Sequence, residues 1–138
     1  MTKTMLATLA LGAAVAFAGQ ALAADKMKAT LSGKSEVPPN TSAGTGTAEL
    51  DYDAASKKLN WKVTYSGLSG PATAAHFHAA EKGKNGGVAV PISPSASPME
   101  GSATLNDQQA ADLLAGRWYV NVHTETNKAG EIRGQMTR

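Results

Sequence analysis

Leu59, Trp61, Val63 and Tyr65 alternate with Lys58, Asn60, Lys62 and Thr64. That is the period-2 signature of a strand with one face on a core and the other polar. Ala48, Leu50 and Tyr52 continue the alternation across residues 46–52. Asp53, Ala54, Ala55 and Ser56 form a short connection that makes the two runs a hairpin. Further strand-like runs lie at 27–31, 73–79, 88–92, 99–105, 117–124 and 131–136, parted by segments rich in Gly, Pro, Ser and Asn. One stretch has a different character. Residues 106–115 predict a helix, with Asn106 as N-cap, Gln109 completing a capping box and Gly116 as the stop. A helix of that length is marginal alone, so Leu113 or Leu114 must pack on the strands. Many short strands and one short helix predict an all-β fold, an antiparallel β-sandwich of Ig-like or Greek-key type.

The N-terminal segment stands outside this pattern. A short basic start (Lys3), an uncharged apolar run over residues 5–17 and the small-x-small sequence Ala21-Leu22-Ala23 predict a secretory signal peptide, residues 1–23. The domain is then 24–138, in a periplasmic or secreted protein, with no membrane span once the leader is removed. Losing Lys3 takes the formal charge from +2 to +1, a balance that speaks against nucleic-acid binding. The chain has no cysteine. Disulfide staples, thiol redox chemistry and copper sites built on a thiolate are therefore excluded.

Chemistry is concentrated in three histidines, all there are. In His76-Phe77-His78, an inward Phe77 puts both imidazoles on one outer face. In Val120-Asn121-Val122-His123, inward valines put Asn121 and His123 outward. By the same alternation an inward Ile132 sends Glu131, Arg133 and Gln135 outward, beside the strand that carries His123. If the two histidine strands are neighbours, His76, His78, His123 and Glu131 form one cluster. Three imidazoles suit copper or zinc, and the Irving–Williams order puts Cu(II) first. Glu131 is then a ligand or an acceptor for an imidazole N–H. A structural Glu131–Arg133 ion pair is the plainer reading of those two side chains. Trp61, Trp118, Tyr52, Tyr65 and Met136 read as core, and Gly86-Gly87 as a turn. No serine sits in a nucleophile elbow, and Thr124, one residue beyond His123, faces away from it. No residue is assigned a catalytic role.

Together, His76-Phe77-His78, Asn85-Gly86-Gly87-Val88, residues 114–124 with Tyr119-Val120-Asn121-Val122-His123-Thr124, and Gly130-Glu131-Ile132-Arg133-Gly134 resemble the CHRD domain family. The resemblance implies an antiparallel β-sandwich and an exported or extracellular life. It implies no enzymatic activity. A copper–zinc superoxide dismutase-like architecture also fits, but three histidines are too few for a dinuclear dismutase site. The leading expectation is a metal-binding protein that sequesters or handles copper or zinc. A metal-free module for a protein or glycan partner is the second reading, and a mononuclear metal redox enzyme the weakest.

Overall fold

A computed structural model describes residues 24–138. The leader expected at 1–23 lies outside the described residues. The strands are β1 (Asp25–Ser32), β2 (Thr45–Asp53), β3 (Lys58–Ser66), β4 (Ala72–Ala79), β5 (Val88–Ile92), β6 (Met99–Thr104), β7 (Trp118–Thr124) and β8 (Ile132–Gln135). One helix, α1 (Asp107–Leu114), precedes β7, and a single 3-10 turn (Gly33–Ser35) follows β1. The strands make one antiparallel sheet in the order β5-β4-β7-β8-β1-β2-β3-β6. The sheet curls until its two edges, β5 and β6, touch without pairing. The result is the expected all-β fold, a nearly closed sandwich-like barrel.

The alternation read from the sequence becomes the core. Leu59, Trp61 and Val63 of β3 face inward onto Leu50 and Ala48 of β2. Phe77 is fully buried, with its ring edge-on to Trp61 at 5.5 Å and 5.7 Å from Trp118. Tyr52 and Met136 are core residues as expected. Tyr65 is only partly covered, and its hydroxyl donates to the Ser95 carbonyl at 2.6 Å. In α1 the capping box forms in both directions, Gln109 N to Asn106 Oδ1 at 2.8 Å and Asn106 N to Gln109 Oε1 at 2.9 Å. Leu113 and Ala110 are the helix residues that reach the core; Leu114 packs at its margin. Gln109 Nε2 also donates to the Ala89 carbonyl at 3.0 Å. With Pro91 in the same strand, this blunts the β5 edge.

Two further features position the site. β1 and β8 are neighbours, and Arg138 Nη1 lies 3.8 Å from Asp25 Oδ1, so the domain's two ends meet. β7 is buried on both faces. Its inward residues are Trp118, Val120 and Val122. On the opposite face Tyr119 meets Gly86 and Asn121 meets Glu36, so the loops around residues 36–37 and 85–86 roof these two, while His123 lies at the rim beside the Lys128 carbonyl. Asn85 joins the roof segments, its Nδ2 donating to the Val37 carbonyl at 3.0 Å and its Oδ1 accepting from Arg133 Nη1 at 2.7 Å. The face expected to be open to solvent is therefore a polar layer under loops, with Asn121 3% and Arg133 2% exposed. Among the described residues no helix is long and apolar enough to cross a membrane.

Candidate metal centre

β4 and β7 pair directly, with His76 opposite Asn121, His78 opposite Tyr119 and Ala74 opposite His123. This adjacency is what a shared site requires. One ring nitrogen from each of His76, His78 and His123 lies within 4.8 Å of the others. The tightest pair is His76 Nδ1 and His123 Nε2, at 3.1 Å. Ring centroids are 4.9 Å apart for His76–His123, 5.4 Å for His76–His78 and 6.5 Å for His78–His123. All three side chains are half-buried.

Carbonyls at the rim orient two of the rings. His123 Nδ1 meets the Lys128 carbonyl at 2.8 Å, which puts its proton there and leaves the Nε2 lone pair toward His76. His78 Nδ1 meets the Gly86 carbonyl at 2.9 Å, while Nε2 lies 3.0 Å from Asn121 Oδ1. The His78 ring is also stacked on Tyr119, 4.7 Å between centroids and 3° from parallel, and the Arg133 guanidinium lies 3.4 Å from the same ring's centroid. Burial pushes the His76 imidazole below its ordinary value, helped by His123 and then His78. Burial also lowers His78, and the nearby His123 and Arg133 add to this, against the bonds to Gly86 and Asn121 that favour its cation. Both rings thus favour the neutral form, the form that ligates metal.

Glu131 does not join the histidines, contrary to the alternation argument. β8 begins at Ile132, so residue 131 belongs to the turn before it and its side chain is free of the strand's alternation. The carboxylate turns to the side of Thr124, the face His123 does not share. There it accepts from Thr124 Oγ1 (2.8 Å), Asn127 Nδ2 (3.0 Å), Ser42 Oγ (2.9 Å), the Ser69 amide (2.9 Å) and the Ser69 hydroxyl. Burial pushes this carboxyl up, but the donors from Ser69, Thr124 and Asn127 outweigh it and hold the group at about 2. The Glu131–Arg133 ion pair is also absent among the described residues. Arg133 is held instead by Asn85, the Lys84 carbonyl and the Tyr119 ring.

Three neighbours of the site escaped the sequence reading. Asn121 lies on the face that alternation predicts, but nothing in the sequence marks its contact with His78. Glu36 sits in the Pro-rich loop after the 3-10 turn, where no periodicity marks it, yet it is 6% exposed beneath Arg133 and Asn121. Burial raises its carboxyl to about 7, with Arg133, Asn121 and the Val37 amide pulling the other way. Asn121 Nδ2 faces this carboxyl without closing a full bond, for Glu36 Oε1 has no partner. Gly130, at φ 130°, makes the room: a Cβ there would stand 2.5 Å from Glu36 Oε1 and 2.7 Å from Asn121 Nδ2. The third is Gly86, read as a mere turn. A Cβ at Gly86 would collide with the Ala79 carbonyl, so the loop cannot keep its carbonyl on His78 with a larger residue there. Gly86→Ala is expected to destabilise the fold by about 1–3 kcal/mol, read by urea melts. It is also expected to loosen His78, visible as a changed ring environment in histidine-selective NMR; an unmoved His78 resonance would contradict this.

The fold and this layer define an all-β domain with a half-buried imidazole cluster under two loops. The family model for the CHRD domain matches residues 27–136, and the chain belongs to that family. Searches of curated proteins and of solved structures gave no match.

Proposed function

We propose that this CHRD domain is an extracellular binding module whose ligand is a single transition-metal ion, copper before zinc, held by His76, His78 and His123. Metal sequestration or handling in the periplasm or outside the cell is the role this implies. The observation that carries the reading is the 3.1 Å separation of His76 Nδ1 and His123 Nε2. Two cis nitrogens bound to one ion at about 2.0–2.1 Å stand about 3 Å apart. Supporting it, two of the rings spend their other nitrogen on a backbone carbonyl, the arrangement that orients ligating histidines. Burial favours the neutral form of His76 and His78. Nitrogen donors without thiolate suit Cu(II) or Zn(II), and the Irving–Williams order favours copper. Bound there, the ion would supply a Lewis-acidic or redox-active centre, and the three histidines would hold it.

Calorimetry with Cu(II) and with Zn(II) tests this. The purified protein is expected to take up about one ion, and His123→Ala or His78→Ala to weaken it more than about 100-fold. Equal heats from wild type and the triple alanine variant would sink the reading. Family membership equally fits a module that binds a protein or glycan without metal. In that case pull-downs recover the same partner whether or not the histidines are intact.

A further inference from the structure

We propose that the side-chain oxygen of Asn121 is the fourth donor of this centre, giving three imidazole nitrogens and one amide oxygen, a set suited to tetragonal Cu(II). The inference rests on the metal reading above and specifies its coordination.

Position comes first. Asn121 is directly opposite His76 across the β4–β7 ladder and two residues before His123 on the same face. Its Oδ1 lies 3.0 Å from His78 Nε2. Its oxygen thus touches one imidazole, and its Cα is the ladder partner of a second. Distance comes second. The two close donor pairs, His76 Nδ1–His123 Nε2 at 3.1 Å and His78 Nε2–Asn121 Oδ1 at 3.0 Å, are near the roughly 3.0 Å edge of a square with bonds of about 2.1 Å; the imidazole nitrogens lie within 4.8 Å of one another against a diagonal of about 4.2 Å, so an ion would draw the two pairs together. The edge of a tetrahedron with those bonds is about 3.4 Å. Square or tetragonal nitrogen–oxygen sets are the preference of Cu(II), and tetrahedral sets that of Zn(II).

A neutral His78 has one N–H, but both of its ring nitrogens face oxygen atoms, Gly86 O and Asn121 Oδ1. In either tautomer one ring lone pair faces an oxygen; a cation held by both Nε2 and Asn121 Oδ1 would satisfy that pair while Nδ1–H donates to Gly86. The other end of the amide also has a polar neighbour. Asn121 Nδ2 faces the buried Glu36 carboxyl, whose Oε1 has no hydrogen-bond partner among the described residues. That neighbour favours the orientation in which the oxygen of Asn121 is turned to the histidines. Arg133, the one cation in the layer among the described residues, is anchored on Tyr119, Asn85 and the Lys84 carbonyl.

The test is Cu(II) electron paramagnetic resonance on the purified protein at one equivalent of copper, with affinities from chelator competition. Wild type is expected to give an axial, tetragonal signal with nitrogen hyperfine structure from three imidazoles. Asn121→Ala should keep the three nitrogens, shift g-parallel and lose about 10- to 100-fold in affinity. Asn121→Asp, made together with Glu36→Gln so that no second carboxylate opposes it, returns an oxygen to the same place with a negative charge, and should restore or raise the affinity relative to Glu36→Gln alone. A wild-type spectrum and affinity in Asn121→Ala would overturn the proposal while leaving the metal centre standing. Equal losses in Ala and Asp variants that melt like wild type would assign Asn121 a purely structural role, and overturn it too. Should the alanine variant not fold, the aspartate variant decides: tighter copper supports oxygen ligation, weaker copper refutes it. Absence of copper binding by wild type would overturn both this inference and the reading beneath it.

Discussion

Glu131→Ala is expected to lower folding stability by about 3–5 kcal/mol, the range for removing one side of a buried, charge-assisted hydrogen-bond network. The carboxylate is fully buried and gathers donors from three separate segments, Ser42, Ser69 and the turn carrying Thr124 and Asn127. Truncation leaves all of these donors facing a void, and water must enter or the loops must part. Urea midpoints check the size. Acid titration checks the cause. Glu131 ionises at about 2 in the folded protein against an ordinary 4.5. A depressed carboxyl stabilises the fold fully above the unfolded value and ceases to do so as pH falls through the folded one. The contribution is therefore present above about pH 4.5 and lost between there and about pH 2. Glu131→Gln should flatten this part of the stability–pH curve. An unchanged acid limb in the glutamine variant would show that other carboxylates carry the dependence.

Phe77→Ala should cost a similar amount, about 3–5 kcal/mol, for a different reason. Its ring is fully buried between Trp61 and Trp118 at edge-on and tilted distances that add aromatic pairing to the area buried. Its removal opens a cavity under β4. Phe77 is also the inward residue that turns both His76 and His78 outward, so the cavity lies directly beneath the imidazoles. Phe77→Leu is the gentler form, expected to cost about 1–2 kcal/mol. In both variants metal affinity, measured where the protein is still folded, should fall with stability. A leucine variant that melts early yet binds copper as wild type does would show that the histidines are held by the roof loops rather than by the core.

What the chain discloses unaided depends on the range of the interaction. Leu59, Trp61 and Val63 announce β3 because burial on one face is a local, periodic constraint. Asn106 and Gln109 announce α1 because a capping box is written within four residues. The outward placement of His76, His78 and His123 follows from alternation as well. Their meeting does not, since His76 and His123 are 47 residues apart and only the order of strands in the sheet joins them. Glu131 was misplaced because alternation was carried one residue beyond the start of β8, into a turn where hydrogen-bond donors set the side chain's direction. The burial of Asn121 and Arg133 was hidden for a related reason. The roof over them comes from loops, which have no period. Glu36 has no local mark at all; its importance arises from what folds over it.

The meeting of Asp25 and Arg138 has an architectural meaning. A unit that the polypeptide enters and leaves at one point needs no span between its attachment sites. It can be threaded into an exposed loop of a larger host, or repeated along a string, with each copy hanging from its own stalk like a bead on a short tether. Because β1 and β8 lie side by side in the interior of the sheet order rather than at its edges, pulling on the two stalks would peel the middle of the barrel first. Force applied through the chain would therefore reach the strand next to β7, and with it the histidine cluster, before it reached the seam between β5 and β6.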